Sequence, residues 1–346
     1  MLGFKGYWIC DPAVQPPAEK VLLYVHGGGF TMGIHLSSYV LMTGSTAFYL
    51  EFLINIINVI PNHSLRIFAL EYSLVPEARY PVQLQQLALA YEHILKTTSP
   101  ENIILAGDSA GATILLSFLL HIVRPCPDLK APSPALATAA AIILISPWCQ
   151  IDSTHTSTSR SVSSVDEDFI DTDMLDEYAR LYTGATKPKD TRSLVFPLWF
   201  YVTALTRLGL QLMHPPYTSK WISSAKVAVM ESKSDWRDSD IHSAFCMSPY
   251  RNPFAVLEHE EWLQKALPKE CLVIYGGKEM MAGDIMAFTD GLKKATNGNV
   301  EINTRWRLGW HAWPMVAMYL GENAEETESG VTVIGEYITR VMHIRR

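Results

Sequence analysis

Five short apolar runs, each stopped by a turn former, set the rhythm of the chain. Residues 21–25 run into His26-Gly-Gly-Gly29, and residues 66–70 lead to Glu71-Tyr72. Residues 102–106 stop at Gly107, 141–145 at Ser146-Pro147, and 271–275 at Gly276-Gly277. Runs this short, rich in Val, Ile and Leu and without polar alternation, predict strands buried on both faces of a parallel sheet. Residues 300–308 alternate more and predict one further strand near an edge. Between the runs the period lengthens. Leu84, Leu87, Ala88, Tyr91 and Leu95 fall at helical spacing within 81–96, and 110–123 is almost wholly apolar, as in a helix pressed against a sheet. Residues 313–320 and 331–341 predict closing helices. Strand and helix signals in alternation predict an α/β fold built on a doubly wound, mostly parallel sheet flanked by helices.

Residues 151–245 break this rhythm. They open with a Ser/Thr-rich stretch at 153–164, pass through an acidic helix candidate at 166–182, and continue into an aromatic-rich segment at 196–217. The expected organisation is a catalytic core formed by 1–150 and 246–346, with 151–245 leaving the sheet as a cap or lid. No internal repeat is visible.

Composition narrows the function classes. The chain has 346 residues and 48% hydrophobic content, enough apolar surface to exclude disorder as its main state. Its 35 acidic residues against 28 basic ones argue against a nucleic-acid partner, which calls for a basic face. Cys10, Cys126, Cys149, Cys246 and Cys271 are odd in number and contain no CxxC pair, so neither a disulfide framework nor a zinc site is expected. Residues 1–10 do not follow the pattern of a secretory signal, and Asn62-His-Ser64, although a glycosylation sequon, carries little weight without one. The longest apolar stretch, 194–213, is interrupted by Pro197, Arg207 and Gln211, which argues against a stable membrane span. The expected location is cytoplasmic or peripheral to a membrane.

Two motifs carry chemistry. Gly107-Asp108-Ser109-Ala110-Gly111 matches G-x-S-x-G, and it joins an apolar strand to an apolar helix, the setting that a nucleophile elbow requires. The glycines permit a turn too sharp for side chains, and the helix terminus behind Ser109 favours developing negative charge. His26-Gly27-Gly28-Gly29-Phe30 also ends a strand, where consecutive glycines leave backbone N–H groups free to face a pocket. Donors of this kind stabilise the oxyanion of an acyl-transfer intermediate by about 2.7–4 kcal/mol each. A serine hydroxyl needs a base. His311 follows the last strand candidate and precedes an apolar helix, whereas His259 and His343 lack a strand-end setting and His26 belongs to the glycine loop. The base in turn needs a carboxylate to hold its tautomer. Glu279 lies nearest the end of the 271–275 strand, with Asp284 in reserve and Asp290 beyond it.

Together these residues resemble the hormone-sensitive-lipase-like branch of the α/β-hydrolases, especially its fungal esterase/lipase members. The resemblance rests on His26-Gly-Gly-Gly29, Glu71-Tyr-Ser-Leu-Val-Pro-Glu77 with Pro81, Gly107-Asp-Ser-Ala-Gly111, Ser146-Pro-Trp148, Gly277-Lys-Glu279 and His311. It implies Ser109 as nucleophile, Glu279 as acid, His311 as base, and the amides of Gly28, Gly29 and Ala110 as oxyanion donors. It also implies a helical cap inserted before the last two strands, and neither a metal nor an organic cofactor. The chain departs from the family pattern at Ser73, where the family commonly has arginine, and at Glu279-Met280-Met281, where it usually has Asp-Pro-Leu. Residues 34–44 and about 191–234 have no family counterpart; they read equally as a cap of this protein's own or as retained intron sequence.

The function so implied is a serine carboxylic-ester hydrolase that works through an acyl-enzyme on small or medium acyl esters, such as acetylated secondary metabolites or sterols. Two alternatives remain open at this level: a non-catalytic protein that binds a small ligand in the same pocket, and an acyltransferase. The presence of His311 favours catalysis over mere binding.

Overall fold

The computed structural model describes residues 3–10, 19–33, 44–129, 136–151, 168, 170, 172–184, 228–231, 248–307, 309–320 and 324–343. Its spine is an eight-stranded sheet of β1 (Lys5–Ile9), β2 (Lys20–Val25), β3 (Leu65–Glu71), β4 (Ile103–Asp108), β5 (Ala141–Ile145), β6 (Ala228–Glu231), β7 (Glu270–Gly276) and β8 (Glu301–Arg307), in the order β6-β1-β3-β2-β4-β5-β7-β8. From β3 to β8 every neighbouring pair is parallel. β1 alone turns the direction, running antiparallel to both β3 and β6.

All five apolar runs are central parallel strands, and 300–308 yields the edge strand β8. The absence of polar alternation has a direct cause. Val21, Leu23 and Val25 of β2 enter one core while Leu22 and Tyr24 enter the other; Ile103 and Leu105 of β4 are likewise separated from Ile104 and Ala106. Helices cover both faces, so neither set of side chains meets water.

On one face lie α2 (Val82–Leu95), α3 (Ser109–Val123), α5 (Glu260–Ala266) and α6 (Ala282–Thr296), which contribute Leu87, Phe118, Leu263 and Phe288 to the first core. The other face is closed by α1 (Gly44–Val59), α7 (Trp313–Leu320) and α8 (Ala324–Val341), with Phe52, Val316 and Ile338. α4 (Thr172–Thr183) adds Tyr178 and Tyr182 to the first core.

Two elements differ from expectation. α8 begins at Ala324, seven residues before the predicted start at 331. Residues 228–231, inside the segment expected to leave the sheet altogether, return to it as β6 and pair with β1 from Lys5↔Glu231 to Trp8↔Ala228. The unpaired edge that β1 presents away from β3 accounts for this: its N–H and C=O groups accept a strand that its own sequence pattern does not announce. Most of the two segments without family counterparts, and the whole aromatic stretch 196–217, lie outside the described residues.

Candidate active site

Because β2, β4, β5, β7 and β8 are parallel, their C-terminal ends open on one edge of the sheet. The loops that follow them carry, in turn, His26–Gly29, Ser109, Ser146, Glu279 and His311.

Ser109 is the first residue of α3, and its backbone is left-handed at φ +47°. Such a φ is uncommon for a residue with a side chain and marks local strain. The turn is packed against the end of β2: a Cβ added to Gly111 would lie 2.0 Å from the carbonyl oxygen of Val25 and 2.5 Å from that of His26. Only glycine allows that approach. Ala110 is buried in the first turn of α3, where helical N–H groups have no partner within the helix.

The glycine loop adopts φ +86° at Gly28, where a Cβ would also come within 2.5 Å of the Met32 carbonyl oxygen. That turn is closed by the N–H groups of Thr31 and Met32, which donate to the Gly28 carbonyl at 3.0 and 3.1 Å. A network of aromatic hydroxyls and one acid fixes the loop to the elbow. Asp108 Oδ1 accepts the Gly27 N–H at 2.9 Å and the Tyr24 hydroxyl at 2.6 Å; its Oδ2 accepts the Tyr49 hydroxyl at 3.0 Å. The Tyr72 hydroxyl donates to the carbonyls of His26 and Gly27, both at 3.0 Å, and its ring stacks on that of His26 at 4.1 Å. His26 thus packs within the glycine loop. Burial pushes the Asp108 carboxyl up to about 6, against the pull of its three donors and of the His311 charge.

Ser73, standing where the resemblance leads one to expect arginine, is braced by glutamines of α2. Its N–H donates to Gln86 Oε1 at 2.7 Å, and Gln83 Nε2 donates to its carbonyl at 2.8 Å.

At the other side of the edge, His311 Nδ1 lies 3.5 Å from Glu279 Oε2, and both side chains are buried. The Ser146 hydroxyl donates to the same Oε2 at 2.6 Å, while its oxygen accepts the Ala312 N–H at 2.9 Å. Asp168 reaches both loops: its Oδ2 accepts the Met280 N–H at 2.8 Å and its Oδ1 the His311 N–H at 3.3 Å. Burial raises the Glu279 carboxyl, against His311 and Ser146. For His311, burial opposes the charged form, yet Glu279 outweighs it, with Asp168 and Asp108 adding to the same effect, and the imidazole is held above its ordinary value.

The reserve acids stand elsewhere. Asp284 is in the first turn of α6, and Asp290 is exposed beside Lys293 at 4.0 Å. His259 stacks on Trp262 at 3.7 Å, and His343 follows α8. Ser146 and Asp168 were not among the expected site residues. Ser146 had a usable signal, a polar residue at the end of a strand adjoining that of the acid. Asp168 had none, since nothing local marks it out from the acids around it.

Residues 4–196, more than half of the chain, match the family model described as steryl acetyl hydrolase. The chain belongs to the steryl acetyl hydrolase family. Among curated relatives, Steryl acetyl hydrolase 1 of Saccharomyces cerevisiae is 25% identical over 152 residues, which cover 43% of this chain and 31% of that protein. The Acetyl-hydrolase of Streptomyces hygroscopicus is 28% identical over 207 residues, 58% of each chain. This member of the family therefore spans between about a third and three-fifths of the relatives it matches. Among solved structures, an esterase from the bacterial hormone-sensitive lipase family superposes with a TM-score of 0.61 at 20% identity, covering 98% of this chain and 82% of that one. The fold is accordingly that of the α/β-hydrolases, as the motifs implied. No helix among the described residues is long and apolar enough to cross a membrane.

Proposed function

We propose that the protein hydrolyses carboxylic esters through an acyl-enzyme, with acetyl as the favoured acyl group and a sterol or similarly apolar alcohol as the leaving group. The observation that carries this is the buried Glu279–His311 contact of 3.5 Å on the same sheet edge as a serine held at φ +47°. Ser109 Oγ attacks the ester carbonyl as His311 takes its proton, and Glu279 stabilises the imidazolium that forms. The amides of Gly28, Gly29 and Ala110 receive the oxyanion. The carbon–oxygen bond to the alcohol then breaks, His311 returns the proton to that alcohol, and acetyl-Ser109 remains. Water, deprotonated by His311, attacks the acetyl carbon; the bond to Ser109 Oγ breaks, His311 returns the proton to Oγ, and acetate leaves.

The preference for acetyl is supported by the family description and by the acetyl-hydrolase relatives. Residues 151–245 act as the cap over a core of 1–150 and 246–346. This is supported by α4, whose Tyr182 stacks on Phe30 at 3.7 Å and whose Tyr178 ring lies where a Gly29 side chain would point. A sterol ester suits a protein working in the cytoplasm or at a membrane surface.

The test is hydrolysis of p-nitrophenyl acetate and of a sterol acetate by the purified protein and by Ser109→Ala, together with fluorophosphonate labelling and peptide mapping. Turnover of both esters, its loss in the variant and a label on Ser109 are expected. Undiminished turnover by Ser109→Ala would exclude the mechanism.

A further inference from the structure

Asp168 sits in the segment that leads from β5 to α4, far along the chain from both loops it touches. Its two carboxylate oxygens are shared between them. Oδ2 accepts the N–H of Met280, next to the acid, and Oδ1 accepts the N–H of His311, the base itself. Besides this bridge, the Ser146 hydroxyl joins the two loops through Glu279 Oε2 at 2.6 Å and the Ala312 N–H at 2.9 Å, and at their roots the Lys278 N–H donates to the Gly309 carbonyl at 2.9 Å. There the Gly276 position leaves no room for a side chain, a Cβ falling 2.3 Å from the Gly309 oxygen. That root contact sets the spacing of the strand ends. It does not by itself fix the side chains of Glu279 and His311, which lie one residue past Lys278 and two past Gly309.

We propose that Asp168 is a positioning residue of the catalytic triad: one carboxylate, supplied by the cap segment, holds the acid loop and the base loop in a fixed mutual position. This rests on the ester-hydrolase reading above. Backbone N–H groups bonded to a charged acceptor are held more firmly than by a neutral one. A bridge that pins both loops through a single rigid group restricts their relative sliding, and catalytic geometry tolerates only about 0.5 Å of error. The same group places negative charge near the imidazole. Among the described residues, the charged groups acting on His311 include Glu279 from the loop after β7, Asp168 from the cap segment and Asp108 from the end of β4. The cap segment continues into α4, whose rings cover the oxyanion loop, so one element contacts both halves of the site.

The experiment compares the protein with Asp168→Asn, which keeps the shape but removes the charge and leaves one oxygen to accept where there were two, and Asp168→Glu, which keeps the charge and both acceptors. Two quantities are read: kcat and KM for p-nitrophenyl acetate, and the titration midpoint of the His311 ring by NMR. For Asp168→Asn, kcat is expected to fall by on the order of tenfold to a hundredfold with KM little changed, the scale that a small misplacement of reacting groups produces. The His311 midpoint is expected to move to lower pH. Asp168→Glu is expected to keep the midpoint and recover part of the rate. An unchanged kcat in Asp168→Asn overturns the proposal, and so does a lower kcat with an unmoved midpoint, since lost stability alone accounts for that. A wild-type protein without turnover whose His311 midpoint still falls in Asp168→Asn would overturn the ester-hydrolase reading and leave the Asp168 bridge standing.

Discussion

Carboxylates do different work at this site according to what surrounds them. Glu279 is fully buried and divides its Oε2 between the Ser146 hydroxyl and His311, so its charge is directed at the proposed base. Asp108, also buried, faces the glycine loop instead and holds the Gly27 amide and two tyrosine hydroxyls. Their fields add at His311, which is why its imidazole keeps its proton to higher pH than an isolated histidine. A general base must be unprotonated to act. The acid limb of kcat/KM for ester hydrolysis is therefore expected to have its midpoint above about 6.5, the ordinary histidine value. A pH–rate profile checks this, and a midpoint at or below that value would mean that the carboxylates do not act on the base as described.

At the scale of elements, the site depends on how closely α3 and β2 approach. The elbow sits directly over the last peptides of β2, with no space for a methyl group at Gly111. Gly111→Ala must push the elbow away from the glycine loop or distort the start of α3. Since displacements of about 1 Å reduce rates on the order of a hundredfold, that variant is expected to lose at least that much kcat while remaining folded. Circular dichroism alongside steady-state kinetics would check it, and a folded Gly111→Ala with full activity would show that the tight approach is dispensable. α3 can bear such strain because it is buried from Ser109 to His121, so its position is set by packing along its whole length rather than by its first turn.

For the molecule as a whole, burying these groups makes stability depend on pH in an unusual direction. Asp108 moves from 3.8 to about 6 on folding, so the native state binds its proton more tightly than the unfolded chain does. Stability from such a group is fully present below about pH 4 and is lost as pH rises through about 6. Glu279 and His311 are raised as well, and their contributions run the same way. For Asp108 alone the loss amounts to about 3 kcal/mol. Asp108→Asn lacks that titration. The difference in unfolding free energy between wild type and Asp108→Asn is expected to shrink in favour of the variant by about that amount between pH 4 and pH 7, as measured by denaturant unfolding. A pH-independent difference would show that Asp108 ionises in the fold as easily as outside it.

The apolar runs were enough to read off six strands, their parallel arrangement and most of the helices, because burial on both faces leaves an unbroken apolar signature whatever the neighbours are. The elbow and the glycine loop were legible for a similar reason: sharp turns and close backbone approach admit few residue types, and Gly107, Gly111 and Gly28 record that need locally. His311 and Glu279 were picked out from their places at strand ends, and the fold brings them to 3.5 Å of each other. What could not be read were contacts between parts of the chain with no local reason to meet. β6 completes the edge beside β1 through backbone groups alone, which leave no mark on side-chain pattern. Asp168 looks like any acid in an acidic stretch until folding sets it against Met280 and His311. Residue pattern reports what each position must bury or bend; which distant loops a single carboxylate joins is settled by packing in three dimensions.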